Sequence, residues 1–461
     1  MKVEVVILAA GQGTRMRSSL PKVLHEVGGR PMLAHVVEAA RALAPAAIRV
    51  VVGHGAEAVR DRLGAEDVVF VEQPEQFGTG DAVRRAGPGF GQADWVVVLN
   101  ADVPLLRGET LSDWLTALSG GEAEVGILTS HPQDPAGYGR VLRDDQGRVA
   151  GIREEKDATA EERAIGEAFT GIIAVRGPRL GPWLQGLTAD NAQGEYYVTD
   201  VVAMAAAEGG VRGHRVPDPD EVRGVNDRSQ LAAVEAAFQR RSAEALMAAG
   251  VTLRDPARTA VYGRVEPARD VVIDPGCQFE GEVVLGEGAR VGPGCVLRDC
   301  RVAAGAVIEA YSHIDGAVVG PGASVGPFAR LRTGTVLDDG ARVGNFVETK
   351  NAHLHPGVKA NHLSYVGDAE VGAGANLGAG TITCNYDGHR KHRTVIGAGA
   401  FIGSAVQLVA PVTVGEGATI GAGSTITRDA PAHALTLTRV KPVTRHDWKR
   451  PEEREPERGD G

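Results

Sequence analysis

The chain has 461 residues, enough for two or three domains with separate cores, and a formal net charge of -10 that argues against nucleic acid as a partner. No run of roughly eighteen apolar residues is present, and the N-terminus reads as a strand entering a glycine-rich turn, so neither membrane insertion nor a signal peptide is expected. The expected address is the cytoplasm. Aromatics are only 4% while glycines number 62, which suits a fold that turns many tight corners around aliphatic side chains.

Lys2 to Ala10 form an apolar run with the character of a buried strand, followed at once by Gly11-Gln12-Gly13-Thr14-Arg15-Met16. The turn lacks the third glycine of a dinucleotide fingerprint and the Gly-Lys-Ser/Thr of a P-loop, so by itself it marks only a loop able to cradle phosphate. Further strands are expected at Ile48 to Gly53, Asp67 to Val71 and Trp95 to Leu99. Their alternation with helical stretches predicts an α/β, Rossmann-like, mostly parallel sheet with binding at the strand C-termini. Asp102 is a lone acid after an apolar strand, the natural place for a metal-binding carboxylate. Leu231, Val234, Phe238, Ala245 and Leu246 fall at helical spacing up to Gly250, predicting a linker helix.

From about Val271 to Leu437 aliphatic residues recur every six positions, as in Ile396, Ile402, Leu408, Val414, Ile420 and Ile426, with small residues such as Ala289, Cys295, Ala400 and Ser424 four positions after many of them. Neither a helix nor a single strand has that period. It is the signature of a parallel β-helix of hexapeptide repeats. The repeat falters between Thr349 and Val371 and again between Thr383 and Ile396, and both breaks are expected to be loops that carry chemistry. Of four cysteines, Cys277, Cys295, Cys300 and Cys384, none shows CxxC spacing; they are expected to be small core residues, Cys277 and Cys295 stacking in neighbouring coils.

The pattern Leu8-Ala9-Ala10-Gly11-x-Gly13-Thr14-Arg15 followed by Pro21-Lys22 resembles the signature of sugar-phosphate nucleotidylyltransferases, and the repeat resembles left-handed hexapeptide β-helix proteins. Together with Phe328-Ala329-Arg330-Leu331-Arg332, Gly344-Asn345-Phe346-Val347-Glu348, His362-Leu363-Ser364-Tyr365 and Cys384-Asn385-Tyr386-Asp387-Gly388, they make nearly the whole chain similar to one bacterial family. That family is the bifunctional N-acetylglucosamine-1-phosphate uridylyltransferases and glucosamine-1-phosphate N-acetyltransferases. The resemblance implies a nucleotidyltransferase domain over 1–226, a linker helix over 227–250, a left-handed β-helix domain over 251–437 whose repeats from about Val271 to Leu437 make roughly nine coils at ~4.8 Å spacing, and a polar tail over 438–461.

By the same resemblance UTP and its product are held by Leu8, Ala9, Ala10, Gly11, Lys22, Gln73, Gly78, Thr79, Gly139, Glu154 and Asn226. Arg15 and Lys22 neutralise charge, and Asp102 and Asn226 bind Mg2+. In the β-helix, His362 is the implied general base with Glu348 orienting it. Arg332, Lys350, Tyr365 and Asn376 hold the sugar phosphate. Ala379, Asn385, Tyr386, Ser404, Ala422 and Arg439 serve acetyl-CoA, Asn385 and Tyr386 also completing the acceptor site. The partners implied are UTP, acetyl-CoA and amino-sugar phosphates, and the β-helix assembles as a homotrimer.

The chain departs from the family at Asn100 and Phe169, both near the sugar in the family, which bears on sugar preference. Two other readings stand beside this one. His353, His355 and His362 could resemble the three-histidine zinc site of prism-shaped carbonic anhydrases. Alternatively, the β-helix of a sugar-1-phosphate nucleotidylyltransferase could be purely structural.

Overall fold

The computed structural model describes residues 1–64, 67–87, 89–208, 210–438, 441–448 and 450. Arg439 and most of the predicted tail lie outside the described residues. The chain forms two compact units, Met1–Ala245 with Ala260–Gly263, and Leu246–Thr259 with Arg264–Gly461. Among the described residues no helix is long and apolar enough to cross a membrane.

In the first unit the strand Val3–Ala9 is central, paired in parallel with Ala47–Val52 on one side and Trp95–Asn100 on the other. Val68–Glu72 extends the parallel set, whereas Ala168–Arg176 runs antiparallel between Trp95–Asn100 and Val125–Ser130. The inner strands are apolar along their whole length because both faces are covered: Val5, Ile7, Val97 and Leu99 face one core, Val6, Val96 and Val98 the other. The chain leaves the central strand first to one side and later to the other, so the loops at its C-terminal end diverge and open a crevice.

The helix predicted as a linker spans Arg228–Ala248 and is not a free spacer. Val234 and Ala237 are buried with Met16, Val27, Met32, Leu105 and Val225, and Phe238 packs against them. A free linker would leave these side chains in water, at roughly 1.5–3 kcal/mol for each large one. Gly28 makes the fit possible: its φ is +56°, and a Cβ there would stand 2.1 Å from the Phe238 ring.

The second unit is a stack of short parallel strands. One face runs through Val272–Ile273, Arg290–Val291, Val307–Ile308, Ser324–Val325, Arg342–Asn345 and Lys359–His362. Ile273, Val291, Ile308, Val325 and Val343 point inward, and Ala289, Ala306, Ala323 and Ala341 fill the corners. Cys277 and Cys295 occupy the corner slots of neighbouring coils as free thiols, each giving its S–H to a carbonyl, of Gly292 and Glu309. Burial pushes them up to about 11 and about 12, which keeps them protonated and unreactive.

The coils are not uniformly eighteen residues long. Four edges have five residues where the repeat has six: Leu297 to Val302, Ile314 to Val319, Thr349 to Leu354 and Val366 to Val371. Their corners are turned by Asp299, Gly316, Asn351 and Asp368, all with positive φ. A corner short of one residue has to turn in the left-handed region, and Asp, Asn and Gly are the residues that tolerate it. The expected loop from Thr349 to Val371 is therefore a correction. It is continuous coil, with strands Glu348–Leu354, Lys359–His362 and Tyr365–Val371. The excursion after Thr383 is a genuine one: Asn376 pairs with Phe401 across the inserted residues, and Tyr386 bridges to Lys391 within them.

Candidate active sites

In the first unit the turn after the central strand depends on Gly13, at φ +62°, where a Cβ would stand 2.6 Å from that of Lys22. The close approach directs Lys22 towards the next strand end. Its Nζ donates to Asp102 Oδ2 at 2.5 Å and to Asn226 Oδ1 at 3.2 Å. The Val225 N–H donates to the Asp102 carbonyl, and the Asn226 N–H to Gln230 Oε1 at the start of the long helix. Residues far apart in sequence thus aim two hard oxygen donors at one cationic group. That donor set fits a divalent cation, with the ammonium marking where positive charge is accepted.

Around this point lies a cleft of roughly 280 Å³ whose lining includes Leu8, Ala9, Ala10, Gly11, Lys22, Gln73, Gly78, Thr79 and Asp102. Gln73 gives both amide hydrogens away, to the Gly78 carbonyl at 3.1 Å and to Asp81 Oδ2 at 2.9 Å. Its orientation is therefore fixed, and Oε1 is the atom left to meet an N–H donor. Gly78, at φ +104°, lets Glu195 and Tyr196 close on this turn: a Cβ would stand 2.6 Å from the Tyr196 carbonyl oxygen. Gln76, bonded to the Ala10 carbonyl at 2.6 Å, and Glu195 also line the cleft. Sequence reading missed Gln76, which belongs to no motif and is brought in only by its loop contact; Glu195 lies in the stretch Gly194 to Asp200 that resembles the family, without a role having been given to it.

Other predicted residues lie elsewhere in this unit. Arg15 is exposed on the short turn Thr14–Met16. Gly139 and Glu154 sit on the hairpin Gly139–Arg143 with Val149–Arg153 and its continuation, a Cβ at Gly139 standing 3.6 Å from Glu154 Oε2. Burial raises the Glu154 carboxyl above the ordinary glutamate range, partly offset by the Thr199 hydroxyl donating at 3.0 Å. The folded chain therefore holds that proton more tightly than the unfolded chain. The associated stability is present below the ordinary glutamate value and lost as pH rises through the raised one. Glu154→Gln should flatten that part of the profile and raise the melting temperature at neutral pH. Calorimetry across pH 4–8 checks it, and an unchanged slope would refute it.

Of the two departures, Phe169 is buried in the core and paired with Thr129 and Gly139, whereas Asn100 lines the cleft. Asn100 lies flat against Gly171, at φ +81°, where a Cβ would stand 1.9 Å from its Nδ2. Gly171→Ala is expected to push Asn100 out of place and destabilise by about 1–3 kcal/mol. The readout is a lowered melting temperature together with reduced pyrophosphate-forming activity.

In the second unit His362 Nδ1 lies 3.0 Å from Asn345 Oδ1, its register partner on the adjacent coil. An amide oxygen accepts, so Nδ1 carries the hydrogen and the Nε2 lone pair is free. Glu348, expected to orient His362, is instead paired with Arg332 at 2.9 Å. It sits on another ladder, between Arg330 and Tyr365, where a guanidinium is the available partner. Asn345 holds the place expected of Glu348.

Lys350 has its pKa lowered, first by contact with the Lys391 ammonium and further by Arg332. Two ammonium groups held against each other, with the Arg332 guanidinium acting on them, invite an anion even though Glu348 pairs with Arg332 and Asp368 partly offsets the charge. Lys391, on the excursion, was not singled out from sequence because its approach to Lys350 depends on the insertion folding back. Asn385 Nδ2 donates to Asp368 Oδ2 at 2.5 Å and reaches the Tyr365 hydroxyl at 3.4 Å, while Tyr386 is exposed. Asn376 is on a separate face, between Lys359 and Phe401. Ala379, Ser404 and Ala422 stack at one corner, joined by Ala405 N–H to the Ala379 carbonyl and Gly423 N–H to the Ser404 carbonyl. The three-histidine reading fails: His353 and His355 lie together, ring centroids 4.0 Å apart, but group with Asp338 and not with His362.

Residues 5–165 match the MobA-like NTP transferase domain, residues 261–365 the GMPPB C-terminal domain, and residues 393–428 the bacterial transferase hexapeptide family of six repeats. The chain is 56% identical over 460 residues to the bifunctional protein GlmU of Alkalilimnicola ehrlichii, covering 100% of this chain and 98% of that one. It is 55% identical over 452 residues to that of Stutzerimonas stutzeri, covering 98% and 99%. The GlmU protein of Bordetella parapertussis is 55% identical over 455 residues, covering 97% and 99%. With identity above half across almost the whole of both chains, this chain belongs to the bifunctional GlmU family, enzymes in which one polypeptide carries a uridylyltransferase and an acetyltransferase.

Proposed function

We propose that the second unit moves acetyl from acetyl-CoA to the amine of glucosamine 1-phosphate, and that the first then joins the N-acetylglucosamine 1-phosphate to UTP with release of pyrophosphate. The observation that carries this reading is that each unit has its own chemically distinct constellation. One is an oxygen-donor pair bridged by Lys22; the other is an imidazole with a free Nε2 in the unit that gathers Lys350, Lys391 and Arg332.

In the acetyl transfer the sugar phosphate sits on Lys350, Lys391 and Arg332, with Tyr365 and Asn385 beside it. His362 Nε2 removes the proton from the amine as nitrogen attacks the thioester carbonyl, the C–S bond then breaks and the coenzyme A thiolate leaves with that proton, while Asn345 keeps the hydrogen on Nδ1. Glu348 acts through Arg332, holding the guanidinium in place. The small corner residues Ala379, Ser404 and Ala422 leave a groove for acetyl-CoA, with Asn376, Tyr386 and Arg439 contributing from its surroundings.

In the uridylyl transfer the attacking phosphate oxygen is already anionic, so no base is needed and positioning with charge neutralisation does the catalysis. Backbone N–H groups from Ala9 to Gly11 meet the phosphates. Gln73 Oε1 accepts the imide N–H of uracil beside Gly78 and Thr79. Asp102 and Asn226 hold Mg2+, which when bound supplies charge neutralisation on the nucleotide and sugar phosphates. Lys22 and Arg15 supply the remaining positive charge to the phosphates. Gly139 and Glu154 face the sugar.

The assembly is a homotrimer through the β-helix. Tyr311, Phe328 and Phe346 form an exposed stacked column, centroids 5.3 and 5.6 Å apart, with exposed Leu363 in the following coil; it supports burial against another copy. Sedimentation should give the mass of three chains, and Phe346→Glu should shift it towards one. The test of function is a split assay. Coenzyme A release is followed with glucosamine 1-phosphate and acetyl-CoA, and pyrophosphate release with UTP and N-acetylglucosamine 1-phosphate. Pyrophosphate without any coenzyme A would leave a nucleotidylyltransferase with a purely structural β-helix.

A further inference from the structure

Beside the pocket that Lys391 and Asp368 line, four side chains from three successive coils stack on one face of the second unit. Asp338 follows the strand Val336–Leu337, His353 and His355 flank Leu354 on the next coil, and Glu370 is the register partner of His353 on the third. His353 Nε2 and His355 Nδ1 lie 3.0 and 3.1 Å from the same oxygen, Asp338 Oδ2. The opposite ring nitrogens, His355 Nε2 and His353 Nδ1, lie 2.5 and 3.5 Å from Glu370 Oε1. Arg393 pairs with Glu370 from the far side.

Each imidazole turns one nitrogen to Asp338 Oδ2 and the other towards Glu370, so one carboxylate oxygen and two ring nitrogens from two neighbouring coils converge within the span of a single ion's ligand shell. A carboxylate behind each histidine is also the arrangement that fixes the tautomer of metal-bound imidazole.

We propose that Asp338 Oδ2, His353 Nε2 and His355 Nδ1 bind one zinc-class divalent transition-metal ion, with water completing a tetrahedron. Zinc–ligand bonds of about 2.0–2.1 Å set ligand atoms roughly 3.3 Å apart, close to the two edges already formed. The three ligand atoms all lie within 4.8 Å of one another, so the remaining edge closes by a small ring movement. Imidazole nitrogen selects this class over magnesium or calcium. The side chains are about one-third exposed, so an ion can enter from solvent. The bound ion ties the Asp338 coil to the His353 coil, and through Glu370 to the coil beyond, making it a structural clip distinct from the transferase chemistry.

The test uses the tag-free full-length protein, stripped with chelator and titrated with zinc chloride against a chromophoric competitor. Asp102→Asn is included to remove binding at the first unit. One zinc per chain should persist in that variant and be lost when His355→Ala or Asp338→Asn is added, while Glu370→Gln should retain the ion about 10- to 100-fold more weakly. Cobalt(II) on the Asp102→Asn protein should give the intense visible absorption of a tetrahedral N/O site, a readout that needs no change at the ligands. Zinc should raise the melting temperature only where the site is intact. Absence of zinc beyond the first unit, or binding indifferent to His355→Ala, overturns the proposal.

Discussion

Asp102→Ala is expected to lower uridylyl transfer by about 10³-fold and to leave acetyl transfer within about twofold. The carboxylate is the only anionic member of the pair of oxygen donors that Lys22 bridges, and the Asn226 amide alone is a weak cation ligand. Charge neutralisation on transferring phosphates is worth several kcal/mol, and each 1.36 kcal/mol is a factor of ten. The substitution also frees the Lys22 ammonium, which would fold onto the nucleotide phosphates too early. KM for UTP should therefore change little while kcat falls. Pyrophosphate release at saturating UTP measures it, and a loss smaller than tenfold would remove Asp102 from the reaction. Because the two activities are assigned to different units, coenzyme A release on the same sample is the folding control.

His362→Ala is expected to lower coenzyme A release by about 10²- to 10⁴-fold, the usual contribution of a general base, with pyrophosphate release unchanged. Nδ1 is committed to Asn345, so the free Nε2 is the group proposed to take the proton. Asn345→Ala separates this from a structural role. It removes the tautomer constraint without removing the imidazole, so kcat should fall less than in His362→Ala and the lower limb of the pH–rate profile should move. Glu348→Gln should act differently, raising KM for glucosamine 1-phosphate because Glu348 holds Arg332. If Glu348→Gln shifts the pH profile and Asn345→Ala does not, the assignment of the orienting residue is reversed.

Much of the candidate site was legible because it is local. The run from Leu8 to Lys22 places its glycines where the backbone must come close, and Gly13 against Lys22 is a contact within one turn of chain. The six-residue period likewise announced the β-helix, since every coil repeats the same inward aliphatic and small corner residue. Where the period broke, sequence reading went astray for a specific reason. A corner shortened by one residue looks in sequence like a lost repeat, but Asn351 and Asp368 absorb it through a positive φ and the coil continues. The break at Thr383 looks the same in sequence, yet there the inserted residues do leave the coil and bring Lys391 to Lys350.

The sequence by itself thus determined the two folds, the glycine turn after the first strand, and Asp102 and His362 as candidate site residues, because each is encoded by residues adjacent in the chain or repeated at a fixed step. Only the tertiary structure decided which partner each charged or titratable group takes. Lys22 meets Asp102 and Asn226 across the sheet, Glu348 meets Arg332 and leaves His362 to Asn345, and His353 and His355 meet Asp338 and Glu370. Those pairings follow from strand order and coil register, which bring together residues that no local pattern relates. A shift of one residue in the register would exchange the partners while leaving every motif intact.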